Sequence, residues 1–331
     1  MRRREFIASI GVLAILPRAA RSQQSAKGYR IAIMHPSHPV GELTERSRFA
    51  YYREFFRELR QLGYAEGQNL VIERFSGEGR VETYPKLASD VSVSNPDLVF
   101  VISVSLVAAL KQITSTIPIV AMTSDPVGHR IAASIARPGG NITGVTVDAG
   151  LEVWAKRLQL FRELVPAMSK LGILAVRTNP EGVAMQGVAE KAGIMVVGPS
   201  FVDNGSDEEY QNVFSAVSQA GADAIFVDGS PVHITKRQLI GELAAKHRIP
   251  TIYPFRSFAE AGGLIAYGID LVEIFRQAAR VIDQVLKGAK PADIPFYQPT
   301  KFELVINRKA AREIGLLVSE RLLAEADEVI E

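Results

Sequence analysis

Clusters of small polar residues stand where apolar segments of the chain end, and these residue types can hold a small molecule by hydrogen bonds. The stretch AMTSDPVG, residues 121–128, follows a β-branched run and places Thr123, Ser124 and Asp125 before Pro126. Proline keeps the preceding residue out of the helical region, so this cluster forms a loop. Comparable clusters are His35-Pro36-Ser37-His38, Ser103-Val104-Ser105, Arg177-Thr178-Asn179, Asp228-Gly229-Ser230 and Tyr253-Pro254-Phe255-Arg256. Turn chemistry alone explains any one of them, so their meaning depends on whether the fold brings them together.

Serines and aspartates in these clusters offer complementary chemistry toward an amino-acid-like ligand. Ser103 and Ser105 precede a helical segment, where free N–H groups and the positive end of the helix dipole favour an anion such as a carboxylate. The alternative is that they only cap the helix. Asp125 and Asp270 can accept hydrogen bonds from an ammonium group, or can serve as a turn residue and a helix N-cap. The sequence leaves both alternatives open.

His35 and His38 have the spacing of a metal-binding pair, but no cysteine or carboxylate pattern accompanies them, so no metal site is predicted. Tyr253 and Tyr267 can stack on a ligand or belong to the core. The predicted ligand-binding set is His35, Ser37, His38, Ser103, Val104, Ser105, Thr123, Ser124, Asp125, Asn179, Asp228, Ser230, Tyr253, Tyr267 and Asp270.

Strand-like and helix-like segments alternate along the chain and would position these clusters. Before residue 148, periodicity predicts strands over 29–34, 70–75, 98–102, 118–122 and 142–147, and helices over 44–62, 81–94, 105–114 and 130–137. After it, the predicted strands are 170–176, 194–198, 224–228, 250–253, 264–267 and 301–305. The predicted helices there are 152–165, 182–192, 207–220, 234–247, 271–286 and 309–314.

This alternation predicts an α/β fold in which two parallel sheets are each covered by helices. We expect one lobe from residues 28–147 plus 268–331 and a second from 148–267, joined by short crossings near 147–151 and between about 253 and 268. The strand near 301–305 is expected to return to the first lobe. In such sheets ligands bind outside the carboxyl ends of the strands, which is where the polar clusters lie.

The first 22 residues have the pattern of an export signal. Arg2, Arg3 and Arg4 precede the apolar run of residues 7–16, and small residues stand before a cut ahead of Gln23. The order Arg-Arg-x-Phe also resembles the twin-arginine pattern, although the general secretory route remains open. We therefore expect a periplasmic product. The segment holds five of the 38 basic residues and one of the 36 acidic ones, so the rest of the chain has 33 against 35, a net charge of −2.

Composition excludes several classes of protein. The near-neutral charge gives no reason to expect a nucleic-acid partner. Outside the signal there is no long uncharged apolar run, so the product is not expected to span a membrane. The chain contains no cysteine, which excludes disulfides, thiol catalysis and a lipid anchor on cysteine. Nucleotide-binding, metalloprotease and serine-hydrolase motifs are absent, so neither a cofactor nor an enzyme is predicted.

Four stretches of the chain carry a family resemblance: IPIVAMTSDPVG, ARPGGNITGVT, IPTIYPFRSFAEAGGLIAYGID and KGAKPADIPFYQPTKFELVINRKAA. Together with the export signal they resemble the ABC transporter substrate-binding protein family of α-proteobacterial type, over residues 2–331. The resemblance implies a type I periplasmic binding protein fold, with two Rossmann-like lobes, three crossovers and a ligand cleft between them. Relatives bind aromatic or other amino acids, which would suit a carboxylate at Ser103 and Ser105.

The sequence therefore predicts a monomeric periplasmic receptor that closes over a small molecule and delivers it to the transmembrane subunits of an ABC permease. Two alternatives belong to other classes. One is an exported α/β hydrolase using Asp125 or Asp228 as a base, and the other is a ligand-sensing receptor for a signalling partner.

Overall fold

The computed structural model describes residues 28–147, 151–177, 179–199, 201–202 and 205–331. The predicted export signal lies outside these described residues. No helix among them combines the length and apolarity needed to cross a bilayer.

The first lobe is built on a five-stranded parallel sheet in the order β2-β1-β3-β4-β5. Its strands are β1 (Tyr29–His35), β2 (Leu70–Ser76), β3 (Leu98–Ile102), β4 (Ile119–Thr123) and β5 (Ile142–Thr146). The helices between them are α1 (Ala50–Gln61), α2 (Tyr84–Ser94) and α3 (Val104–Ile113). Strands β3, β4 and β5 are buried along their whole length, as expected for a sheet covered on both faces.

The second lobe has its own sheet, in the order β13-β12-β11-β10-β9-β6-β7, with β8 also paired to β6. Its strands are β6 (Lys170–Val176), β7 (Met195–Val196), β8 (Phe201–Val202), β9 (Ala224–Val227), β10 (Thr251–Tyr253), β11 (Ile265–Ile269), β12 (Phe302–Asn307) and β13 (Glu328–Ile330). The helices of this part of the chain are α4 (Leu151–Leu164), α5 (Pro180–Lys191), α6 (Asp207–Gln219), α7 (Pro231–Thr235), α8 (Arg237–His247), α9 (Arg256–Glu260), α10 (Leu271–Leu286), α11 (Arg308–Glu313) and α12 (Glu320–Glu325). The fold is thus the predicted two-lobe α/β arrangement.

Helix α10 leaves the second sheet and packs on the first lobe, against α1 and strands β3 to β5. The Phe275 ring lies 6.0 Å from the Phe100 ring, and the Tyr64 hydroxyl donates to Asp283 at 3.0 Å. The chain stays with the first sheet until Tyr297, which bridges to Val145. It then returns to the second sheet as β12. The three crossings therefore fall near 147–151, 269–271 and 297–302, and the second is later than the sequence suggested.

The prediction that the last strand returns to the first lobe is wrong. Strand β12 pairs antiparallel with β11, and β13 then pairs with β12, so both belong to the second sheet. Of the residues from 268 onward, the part that packs on the first lobe is α10 and the segment up to Tyr297. A further difference is that residues 130–137 form an irregular loop with bends rather than a helix, and Ser134 and Arg137 are hydrogen-bonded to each other within it.

Candidate ligand-binding site

A cavity of about 200 Å³ lies between the lobes, at the carboxyl ends of strands from both sheets. The first lobe contributes the 35–38 loop, the start of α3 and the end of β4. The second lobe contributes the starts of α5 and α7. This is where ligands are expected to bind in open parallel sheets, and the two sheets face each other across it.

The cavity brings together most of the residues that the sequence singled out. The predicted residues that line it are His35, Ser37, His38, Ser103, Val104, Ser105, Thr123, Ser124, Asn179 and Ser230. The question raised by AMTSDPVG is thereby answered in part. Thr123 and Ser124 lie at the cavity, whereas residues 125–128 do not line it; the turn meets the cavity again at His129.

The remaining predicted residues do not line the cavity, and two of them are aspartates proposed to hold an ammonium group. Asp125 is exposed, has a positive φ of 32°, and accepts the Gly128 N–H at 2.8 Å, so it is a turn residue. Asp270 caps α10 by accepting the Val272 N–H at 2.8 Å. The expectation that either aspartate faces a ligand is corrected, because local backbone donors hold both carboxylates.

The two tyrosines of the predicted set are also away from the cavity. Tyr253 is fully buried, stacks on Phe258 at 4.9 Å and accepts a hydrogen bond from Thr251 at 2.7 Å. Tyr267 lies on β11 with its ring 6.0 Å from that of Phe302. Both are packing residues of the second lobe, and the stacking role expected of them is corrected.

Asp228 lies beneath the cavity wall rather than in it. Its two carboxylate oxygens accept the Val176 N–H at 2.9 Å and the Ser230 N–H at 2.8 Å. Burial raises the pKa of Asp228 to about 6, and burial also lowers the pKa of neighbouring His233 to about 3. The carboxylate therefore shapes the loop that presents Ser230, and Asn179 donates to the Ser230 hydroxyl at 2.9 Å.

Ser103 caps α3 and also carries backbone strain. Its hydroxyl accepts the Ser105 N–H at 3.2 Å, so the helix-cap interpretation holds. Its φ of 106° lies in a region that costs a non-glycine residue about 1–3 kcal/mol. Strand β4 and helix α3 hold it there, through Ser103 N–H to Met122 O at 3.0 Å and Val107 N–H to Ser103 O at 3.1 Å. The next N–H along, that of Val104, forms no hydrogen bond among the described residues, and Val104 is one of the residues that line the cavity.

Glu181 is a cavity residue that the sequence did not indicate. It lies in the first turn of α5, and its carboxylate accepts the Gly229 N–H at 2.7 Å. It is the one carboxylate among the described residues that line the cavity, where no lysine or arginine is found. The sequence did indicate that Glu181 lies in the first turn of a helix, since Asn179 is a typical N-cap residue and acidic residues are favoured just after an N-cap. Nothing in the sequence, however, showed that this turn faces the cavity.

Most of the lining is apolar, and this part was also not predicted. Aromatic side chains come from α1, from the start of α2, from the loop after β10 and from α10, and aliphatic ones come from strands, helices and loops of both lobes. These residues are Tyr51, Tyr84, Phe255, Phe275, Val81, Ile102, Met122, Val147, Val176, Val202, Val232, Ile234 and Leu271. Apolar spacing alone does not separate such residues from the core, because packing and lining positions share one apolar pattern.

The lobes also touch each other beside the cavity. The hydroxyls of Ser37 and Thr235 are 3.5 Å apart, and the guanidinium of Arg237 lies 4.6 Å from the centroid of the Phe49 ring. Both contacts join the first lobe to the α7–α8 region of the second. A change in the angle between the lobes would break them.

The chain matches the sequence profile of the ABC transporter substrate binding protein family over residues 42–330. It belongs to this family. Members are receptors rather than enzymes, which sets the hydrolase alternative aside. A tyrosine-binding protein of Clostridioides difficile is 25% identical over 267 residues, covering 79% of this chain and 75% of the relative.

Solved structures agree with this assignment. The ABC domain of a Streptococcus pneumoniae protein in complex with L-Trp is 26% identical and has a TM-score of 0.78, covering 92% of this chain and 100% of that one. A conserved domain protein of Vibrio cholerae is 23% identical and has a TM-score of 0.81, again covering 92% of this chain and 100% of that one, and it supports the fold. The chain is therefore a substrate-binding protein of an ABC transporter.

Proposed function

We propose that this receptor binds a zwitterionic molecule with an aromatic or bulky apolar side chain, such as an aromatic amino acid, in the interlobe cavity. One observation carries the proposal. The Val104 N–H, which has no partner among the described residues, belongs to one lobe, and the Glu181 carboxylate belongs to the other, across a mostly apolar lining.

The polar groups match the two charged ends of an amino acid. A ligand carboxylate can accept from the Val104 N–H and the Ser105 hydroxyl at the start of α3, where the helix dipole adds to the attraction. A ligand ammonium can donate to Glu181. Because no cationic side chain is found in the described lining, a ligand with net negative charge, such as a phosphate ester, would be poorly compensated.

The apolar lining favours an aromatic or aliphatic side chain over a sugar. A sugar carries a hydroxyl on nearly every carbon, and each one buried without a partner costs free energy. Tyr51, Tyr84, Phe255 and Phe275 instead supply ring surfaces of the kind that pack on another ring. The names of the relatives, one tyrosine-binding and one crystallised with L-Trp, support the same class of ligand.

Closure of the lobes would complete the site. A ligand held by Val104 on one lobe and Glu181 on the other contacts both at once, and so favours the closed arrangement. We further propose that the closed form delivers its ligand to the transmembrane subunits of an ABC permease.

Calorimetric titration of the purified protein with L-tyrosine, L-tryptophan, L-phenylalanine, L-leucine and D-glucose tests the ligand class. We expect stoichiometric binding of at least one aromatic amino acid and none of the sugar. Glucose binding without amino-acid binding would overturn the proposal.

We also propose that the chain is exported, with residues 1–22 removed. N-terminal sequencing of the native protein from a periplasmic fraction should begin near Gln23. A product that retains the residues before Ala19 would contradict this. Replacing Arg3 and Arg4 by lysine should impair export if the twin-arginine route is used, and unimpaired export would indicate the general secretory route.

A further inference from the structure

A second cavity, of about 570 Å³, lies between the lobes against the crossing at residues 269–271. Residues 269–272 form one of its walls, and we call it the hinge pocket. It is a neighbour of the ligand cavity, because Tyr51, Phe255 and Leu271 line both. The interactions described so far give it no role.

Four arginines line the hinge pocket, whereas the described lining of the ligand cavity has no lysine or arginine. The first lobe contributes Arg48 and Arg53, and the second contributes Arg237 and Arg256. Cations therefore face each other across the space between the lobes.

The carboxylates of the pocket lining do not neutralise all of these cations. Glu260 and Glu303 both accept from Arg256, at 2.9 Å and 3.1 Å. The third, Asp270, is held at the start of α10 by the Val272 N–H. The local negative charge is thus used on Arg256 and on a helix cap.

The other three arginines have little or no compensation. Arg48 pairs with one carboxylate outside the lining, that of Glu42 at 3.1 Å. Arg53 donates through Nη1 to the Ser47 carbonyl at 2.8 Å, and Arg237 donates through Nη1 to the Ile234 carbonyl at 3.0 Å. Neither of these two forms an ion pair with a described residue. A guanidinium has five N–H donors, so each keeps several for a further partner.

The ring of Phe49 shows how close the cations of the two lobes lie. The guanidinium carbon of Arg48 is 5.0 Å from the ring centroid, and that of Arg237, from the other lobe, is 4.6 Å from it. Burial lowers the pKa of Arg237, and the charge of Arg48 lowers it further. An anion placed between the two guanidiniums would offset this repulsion.

We propose that the hinge pocket binds a small oxyanion, such as inorganic phosphate, between Arg237 of the second lobe and Arg48 and Arg53 of the first. Guanidinium groups suit this chemistry, because their paired N–H groups match the spacing of phosphate oxygens. The bound anion attracts both lobes beside the crossing about which they turn, and so holds them at the angle at which these side chains meet. The site is separate from the ligand cavity and does not rest on the proposed function.

Calorimetric titration of the protein with sodium phosphate, at an ionic strength held constant with sodium chloride, tests the site. The wild type should bind one phosphate per chain. Arg53→Gln and Arg237→Gln, one on each lobe, should each raise the dissociation constant about tenfold or more, the loss of one hydrogen bond to a charged group. Arg137→Gln removes an exposed arginine outside both cavities and should leave the affinity unchanged.

Melting curves check the fold of each variant, and Arg237→Lys provides a second test at that position. Lysine keeps the charge but not the paired donors, so this variant should bind phosphate more tightly than Arg237→Gln and less tightly than the wild type. The absence of saturable phosphate binding would overturn the inference. So would an unchanged affinity in Arg53→Gln or Arg237→Gln, or an equal loss in Arg137→Gln. Titration of the same samples with L-tyrosine separates this result from the proposed function, since tyrosine binding without phosphate binding overturns the inference alone.

Discussion

Replacing Glu181 by glutamine should weaken the binding of an aromatic amino acid while leaving the fold intact. The change removes the one negative charge of the described cavity lining. Glutamine keeps a side-chain oxygen that can accept the Gly229 N–H, which lies 2.7 Å from the Glu181 carboxylate in this structure. A hydrogen bond to a charged group contributes about 1.5–3 kcal/mol. At about 1.4 kcal/mol for each factor of ten, the dissociation constant for L-tyrosine should rise roughly tenfold to a hundredfold.

Two controls isolate the charge. The first is 3-(4-hydroxyphenyl)propionate, which is tyrosine without its ammonium group and should bind Glu181→Gln at least as tightly as it binds the wild type. The second is Asp125→Asn, which removes an exposed carboxylate held by Gly128 and should not change the affinity for tyrosine. Isothermal titration measures all of these. Unchanged tyrosine affinity in Glu181→Gln, or an equal loss for the propionate, would refute the ammonium role of Glu181.

Three further measurements test the site and its motion. Ser103→Gly should be more stable to urea than Ser103→Ala by about 1 kcal/mol or more. Both variants lose the helix cap, but only glycine accepts the φ of 106° without strain. Equal stability of the two variants would argue against strain at this position. The pKa of His38 falls from 6.5 to about 3 on folding, so its contribution to stability is complete above pH 6.5 and is lost as the pH falls toward 3. Between pH 7 and pH 5 the wild type should lose about 2 kcal/mol from this group, a loss absent in His38→Gln, and parallel pH profiles would contradict the burial argument. Spin labels on Val93→Cys and Val183→Cys, exposed on opposite lobes of a cysteine-free chain and away from the cavity lining, should move closer when L-tyrosine is added, and an unchanged distance would count against closure.

Local patterns predicted most elements, and the exceptions have physical causes. Helix α10 was predicted with its bounds because Asp270 caps it and its apolar spacing is regular. Helix α1 starts at Ala50 rather than residue 44, since Glu42 holds Ser47 and the Arg48 N–H in a loop before it. The segment predicted as one helix over 234–247 is two, α7 and α8, and α7 starts at Pro231, a favoured first helical residue.

The sheet to which a strand belongs could not be deduced from its own residues. Strand β12 is apolar enough to suit either lobe, and its pairing with β11 depends on where the chain re-crosses after Tyr297. That crossing is set by the packing of α10 on the first lobe. Such packing is a property of the assembled fold and leaves no local pattern.

The strand-end rule located the site but could not orient its side chains. Ser103, Thr123 and Ser230 lie at or just after strand ends and line the cavity. Asp125 and Asp228 occupy equivalent positions, yet backbone N–H groups hold the first in an exposed turn and the second beneath the wall. Glu181 was missed because a first-turn glutamate is ordinary helix chemistry, and only the facing lobe makes it part of a site.

A crystal structure of the protein with L-tyrosine tests the central claim most directly. The ligand should lie between the lobes, with its carboxylate at the Val104 N–H and Ser105, its ammonium at Glu181 and its ring among Tyr51, Tyr84, Phe255 and Phe275. A tyrosine bound outside this cavity, or inside it with its ammonium away from Glu181, would contradict the account.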